Sequence, residues 1–84
     1  MLILYMYYIY IIQCEDKSLY TGITNDLGRR FKEHKNGKGG HYTSSHKVVK
    51  IVHTEEFKNR SGALRREAQI KGWPREKKLA LINK

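Results

Sequence analysis

The sequence contains one cysteine, Cys14, in 84 residues. No internal disulfide and no four-cysteine zinc site can form, and the reducing cytoplasm is the expected location. Long apolar runs are also missing. Residues 1–12, MLILYMYYIYII, fall short of the roughly 20 apolar residues that a membrane-spanning helix needs, and they lack the basic start and small-residue cleavage site of a signal peptide. No membrane partner is expected. There is no internal repeat, no segregated acidic tail, and no Ser or Cys in a recognisable nucleophile elbow or paired motif. The length leaves no room for a second folded unit or a deep cofactor cavity, so one domain over 1–84 is expected, with 1–6 as a ragged leader because Met6 would serve equally well as a start. Acidic side chains are scarce. Eight Asp and Glu face seventeen Lys and Arg, a net charge of +9 that points to phosphate polyanions or an anionic surface.

What is present reads as a short series of elements. Tyr7 to Gln13 is aromatic and β-branched with period two, which sets Tyr8, Tyr10 and Ile12 on one face and Tyr7, Ile9 and Ile11 on the other. Residues 14–17 form a polar turn, and Ser18 to Gly22 resumes an extended pattern, so the two runs make a hairpin. Asn25-Asp26 opens an amphipathic helix that Gly37 closes. The Gly-rich stretch 37–46 is expected to be a mobile loop. Val48 to Thr54 reads as a third strand, Ser61 as the cap of a second helix ending at Gly72, and Pro74 as the start of a last helix holding Leu79 and Ile82. The expected fold is α+β: a small, mainly antiparallel three-stranded sheet flanked by helices, in the order β-β-α-β-α-α.

The informative feature lies inside the helical stripes. Leu27, Arg30, Phe31 and His34 share the i, i+3, i+4, i+7 positions of the first helix, and Glu67 falls among Ala63, Leu64 and Ala68 on the apolar side of the second. A guanidinium there must snorkel outward, find a carboxylate, or receive an anionic ligand, because burying it unpaired costs several kcal/mol. Two readings stand side by side: a structural Arg30–Glu67 ion pair, or a functional site. His34 one turn beyond Arg30 fits a satisfied hydrogen-bonding histidine as well as a catalyst, and the strand tyrosines fit a core.

At these residues the sequence resembles the GIY-YIG nuclease family, and in particular its small stand-alone bacterial members. The first motif falls on Tyr8-Ile9-Tyr10 and the second on Tyr20-Thr21-Gly22, with Tyr8 and Thr21 in place of the glycine and isoleucine that name the motifs. Arg30, His34 and Glu67 follow in order, and the likeness runs from about Tyr7 to Ile82. The resemblance implies a metal-dependent endonuclease-like domain that hydrolyses phosphodiester bonds in nucleic acid, DNA before RNA. Glu67 would hold one Mg²⁺ or Mn²⁺, Arg30 would brace the developing phosphoryl charge, Tyr20 would accept the proton of the attacking water, and Tyr10 and His34 would orient water and phosphate. Gly22 is better explained by close backbone packing than by chemistry.

Further contacts are weaker readings. Tyr42 in the loop is a candidate to stack on a base, and Lys71, one turn beyond Glu67, is a candidate phosphate contact that an i,i+4 pair with Glu67 explains equally well. A zinc site from Cys14, His41, His46 and His53 matches no standard spacing. The alternative function is a non-catalytic basic nucleic-acid-binding module, which explains the charge but not the embedded Arg30 and Glu67; a purely structural partner-binding protein would leave the charge unexplained.

Overall fold

A computed structural model describes residues 5–84. Residues 1–4 of the expected leader lie outside the described residues. The elements are β1 (Tyr7–Cys14), β2 (Leu19–Thr24), α1 (Leu27–Lys35), α2 (His41–Ser45), β3 (Val48–Phe57), α3 (Arg60–Lys71) and α4 (Arg75–Ile82). They form an α+β fold around a three-stranded antiparallel sheet of order β2-β1-β3.

The central position of β1 follows from its two apolar faces. Ile9 and Ile11 are fully buried against Ala63 and Ile70 of α3, with Tyr7, Trp73, Leu81 and Ile82 around them. On the opposite face Tyr10 and Ile12 pack with Leu27 and Phe31 of α1 and Tyr42 of α2. Each fully buried Ile contributes about 1.5–3 kcal/mol, so exposing either face would unfold a chain this small. Cys14 corrects the expected turn. It is the buried last residue of β1, and burial pushes its thiol pKa up, which keeps it protonated and unreactive. The turn itself is residues 15–18, where Lys17 adopts φ 72° and Asp16 accepts from the Ser18 N–H at 3.0 Å.

Local chemistry sets the helix ends. Asp26 caps α1 by accepting from the Arg29 N–H, and Gly37 at φ 75° turns the chain away after Asn36. At α3 the cap is Asn59, which accepts from Gly62 N–H at 2.8 Å, two residues earlier than the expected Ser61. Pro74 precedes α4. β3 runs three residues past the expected Thr54, to Phe57, because Glu55, Glu56 and Phe57 all pair with β1. Ala68, expected in the apolar stripe of α3, is exposed. The expected loop 37–46 contains the short helix α2, and Thr43 within it is buried.

Candidate active site

Four of the five expected site residues meet on the α1 and α2 side of the sheet. Tyr10 lies directly opposite Gly22 in the register, and its ring crosses the β2 backbone there: a Cβ at position 22 would collide with the phenol. That crossing brings the Tyr10 hydroxyl to 2.8 Å from His34 Nε2, while Arg30 Nε donates to the same oxygen at 3.4 Å. His34 is 1% exposed, and its other nitrogen, Nδ1, is 2.7 Å from Thr43 Oγ1. Tyr20 joins at the rim, its ring centroid 5.1 Å from that of His34 in an edge contact and 6.3 Å from that of Tyr10.

The proton positions follow from donors and acceptors. Arg30 only donates, so the Tyr10 oxygen accepts from it. Burial above all pushes the Tyr10 pKa up to about 12, against the Arg30 hydrogen bond, so the phenol keeps its proton. Its only other partner among the described residues is His34 Nε2, which therefore accepts, leaving Nδ1–H to donate to Thr43. Burial, and then the Arg30 charge, hold the His34 pKa below its ordinary value despite Glu33, so the ring is neutral as this pattern requires.

Arg30 is fixed on three sides. Beyond Tyr10, Nη1 donates to Glu33 at 3.2 Å and Nη2 donates to the Gly39 carbonyl at 3.1 Å. Three of the five guanidinium N–H groups are used, and the side chain remains 29% exposed, so two N–H groups are open to an anion. The partner of Arg30 is thus Glu33 of its own helix, and no Arg30–Glu67 ion pair forms. Glu67 stands apart from the network. Its side chain is 16% exposed and pairs with Lys71 at 3.3 Å, and its charge acts on the Tyr10 phenol without a direct bond.

The loop residues behave differently from their sequence reading. Tyr42 stacks on Tyr20 at 5.9 Å and, nearly parallel, on His46 at 4.0 Å, so the ring faces expected to meet a base are occupied within the protein. Thr43 and Gly39 were not singled out. Gly39 is buried against the His34 ring, which a Cβ would strike, and nothing in a Gly-rich loop announces that its backbone will be pressed against a histidine. Thr43 is one of three consecutive hydroxyl residues, Thr43, Ser44 and Ser45, and no sequence signal distinguishes it from the other two.

A divalent metal would find one hard oxygen donor here. Among the described residues no group of three or more His, Cys, Asp or Glu is placed to cage an ion. A single partly buried carboxylate fits Mg²⁺-type binding, in which one or two carboxylates act together with water and substrate phosphate oxygens. Glu67, held only by the half-exposed Lys71, fits that donor set. No helix among the described residues is long and apolar enough to cross a membrane.

Comparison with known proteins extends over nearly the same span. Residues 6–80 match the GIY-YIG catalytic domain. The chain is 51% identical over 75 residues to a UPF0213 protein of Haloquadratum walsbyi, covering 89% of this chain and 84% of that one. It is 47% identical over 77 residues to a UPF0213 protein of Staphylococcus saprophyticus, covering 92% and 94%. A solution NMR structure of a UPF0213 protein from Bacillus halodurans superposes with a TM-score of 0.61 at 40% identity, covering 93% of this chain and 83% of that one.

Proposed function

The chain belongs to the GIY-YIG catalytic domain family, and from that premise we propose that it is a cytoplasmic, metal-dependent nuclease that hydrolyses phosphodiester bonds in DNA. GIY-YIG nucleases generally use a divalent metal and act on nucleic acid. The observation that carries the reading is the Arg30–Tyr10–His34–Thr43 chain, buried except at Arg30, which holds a guanidinium with open N–H groups on the side of the sheet where Tyr20 packs against Tyr10 and His34.

Each residue takes a part set by its surroundings. Arg30 offers its two uncommitted N–H groups to the phosphoryl oxygens as negative charge builds. Tyr10, kept protonated, holds the Arg30 plane and is unsuited to accept a proton. His34 stays neutral and fixes the Tyr10 hydroxyl. Tyr20, half-buried and braced between His34 and Tyr42, assists the attacking water, its phenolate form being the one that can take that water's proton. Glu67 would hold Mg²⁺ or Mn²⁺, and Lys71, its ion-pair partner, would contact a substrate phosphate. The chemistry such an ion supplies when bound is Lewis-acid polarisation of a phosphate oxygen.

The test is a cleavage panel of labelled single-stranded, duplex and branched DNA and RNA with Mg²⁺, Mn²⁺ or chelator, for wild type, Glu67→Gln and Arg30→Ala. Each substitution should lower cleavage by about 10²- to 10³-fold while most binding persists. Wild-type-like cleavage by folded Glu67→Gln sinks the metal assignment. Absence of metal-dependent cleavage by wild type on every substrate leaves the non-catalytic binding module.

A further inference from the structure

Beside the Tyr10–His34 network an open groove is lined by Tyr7, Ile23, Thr24 and Asn25 together with Arg29, Arg30, Glu33 and Arg60. It opens at the end of the sheet where β1 begins and β2 ends, between the first turns of α1 and Arg60 at the start of α3. Its charge is one-sided. Three arginines face a single glutamate, and Glu33 is shared between Arg30 at 3.2 Å and Arg29 at 3.8 Å. Arg60 makes no hydrogen bond or ion pair among the described residues, so the groove retains net positive charge at the end away from Tyr10. α3 carries no acidic residue in its first turn and its cap is the neutral Asn59, so its positive dipole end adds to that field, whereas the Asp26 cap offsets the dipole end of α1. The remaining lining supplies an aromatic ring, Tyr7, and an apolar side chain, Ile23, next to the cations. Cations for a phosphate beside a flat ring for a sugar or base are the two requirements of a nucleotide strand.

We propose that this groove is a subsite for the nucleotide adjacent to the scissile phosphate: Arg29 and Arg60 hold the neighbouring backbone phosphate, and Tyr7 supports its sugar or base. The proposal rests on the nuclease reading of Arg30, and it adds a direction to it. Arg30 belongs both to the network and to the groove, so a strand whose scissile phosphate sits at Arg30 leaves the site through the groove toward Arg60. The substrate must then extend on that side of the cut, and one strand polarity is favoured. Lys77 and Lys78 on α4 carry the same charge without a groove and serve as the control.

Binding of a labelled 20-nucleotide DNA strand and of its RNA counterpart is measured in chelator, where cleavage plays no part, for wild type, Arg29→Gln/Arg60→Gln and Lys77→Gln/Lys78→Gln. Both arginines are exposed, so the double variant is expected to fold, and a melting curve checks it. The groove variant should lose on the order of tenfold or more in affinity beyond the control and reduce the slope of log affinity against log salt by about 0.7 for the single strand, the share of one phosphate contact. A loss no greater than that of Lys77→Gln/Lys78→Gln overturns the subsite and leaves a diffuse field. With Mg²⁺, strands that lack the flanking nucleotide on one side only should be cleaved by wild type as poorly as full-length strands are by the groove variant. Equal tolerance of truncation on both sides also overturns it. Failure of all cleavage by wild type would remove the nuclease reading alone, because the chelator measurement decides the groove independently.

Discussion

Thr21 Oγ1 is a buried side-chain oxygen with no hydrogen-bond partner among the described residues. It stands where the family's second motif has isoleucine, so the hydroxyl was placed in an apolar slot between the sheet and α3 without an acceptor. A buried unsatisfied hydroxyl costs about 1–3 kcal/mol. Thr21→Val keeps the shape and deletes the hydroxyl, so the variant should gain on the order of 1 kcal/mol and about 4–8 °C in melting temperature. A lower melting temperature would mean that the hydroxyl has a partner after all. His34 gives a second expectation at this scale. Its folded-state pKa is depressed by burial and by Arg30, with Glu33 opposing and Tyr10 and Thr43 on its two nitrogens. Protonation therefore favours the unfolded chain. The stability tied to His34 is fully present above about pH 6.5 and is lost as pH falls through the depressed value. Asp16 and Glu55, whose pKa values are also lowered, lose theirs only in the carboxylate range below. Urea midpoints should fall between pH 7 and 5, and an NMR titration of the His34 ring with a midpoint above 6.5 would refute the neutral-ring assignment.

At the scale of elements, the caps and the strap α2 carry the predictions. The N-cap of α3 is Asn59, and the Ser61 hydroxyl only donates to the Asn59 side chain. Asn59→Ala should therefore cost about 1 kcal/mol, whereas Ser61→Ala should change stability by no more than a few tenths, as read from denaturant midpoints. The segment from Gly39 through α2 is tied at both of its chemically important points: the Gly39 carbonyl accepts from Arg30, and Thr43 accepts from His34. A Cβ at Gly39 would strike the His34 ring, which is itself clamped between Tyr10 and Thr43 and cannot give way. Gly39→Ala should displace the strap and lower cleavage at least as far as it lowers stability, while Gly40→Ala, next to it with φ 122° but no neighbour within reach, should act through backbone strain alone. Cleavage and melting measured on both variants would separate the two effects.

Over the whole molecule the dominant property is charge. The net charge of +9 is spread over helices on both sides of the sheet, and the aromatic face of Trp73 already carries Arg66 at 5.1 Å and Lys77 at 4.5 Å. Arg66 is committed to Glu55 as well, at 2.8 and 3.1 Å, so this second basic surface is partly neutralised within the fold. Binding to duplex DNA should be strongly salt-dependent with little sequence preference. If six phosphates are contacted, the slope of log affinity against log salt is about −5. Affinity unchanged between low and moderate salt would contradict it.

What the sequence determined by itself was the part written in local chemistry. Period-two alternation in β1 placed Ile9 and Ile11 on one face and Tyr10 and Ile12 on the other, because side-chain direction along a strand needs no partner to be read. Asp26 and Gly37 marked the ends of α1 for the same reason, and the spacing of Arg30, Phe31 and His34 fixed a common face. The tertiary structure alone decided which of those faces meet. Arg30 could pair with either Glu33 or Glu67 by sequence, and the fold gave it Glu33, the Gly39 carbonyl and the Tyr10 oxygen instead of Glu67. Thr43 reaches His34 only because β3 returns the chain beside β1 and draws α2 down onto α1, a long-range closure that no local pattern encodes. The groove from Arg30 to Arg60 is likewise a product of packing: residues thirty positions apart line one surface because β2 and β3, on either side of β1, deliver the starts of α1 and α3 to the same end of the sheet.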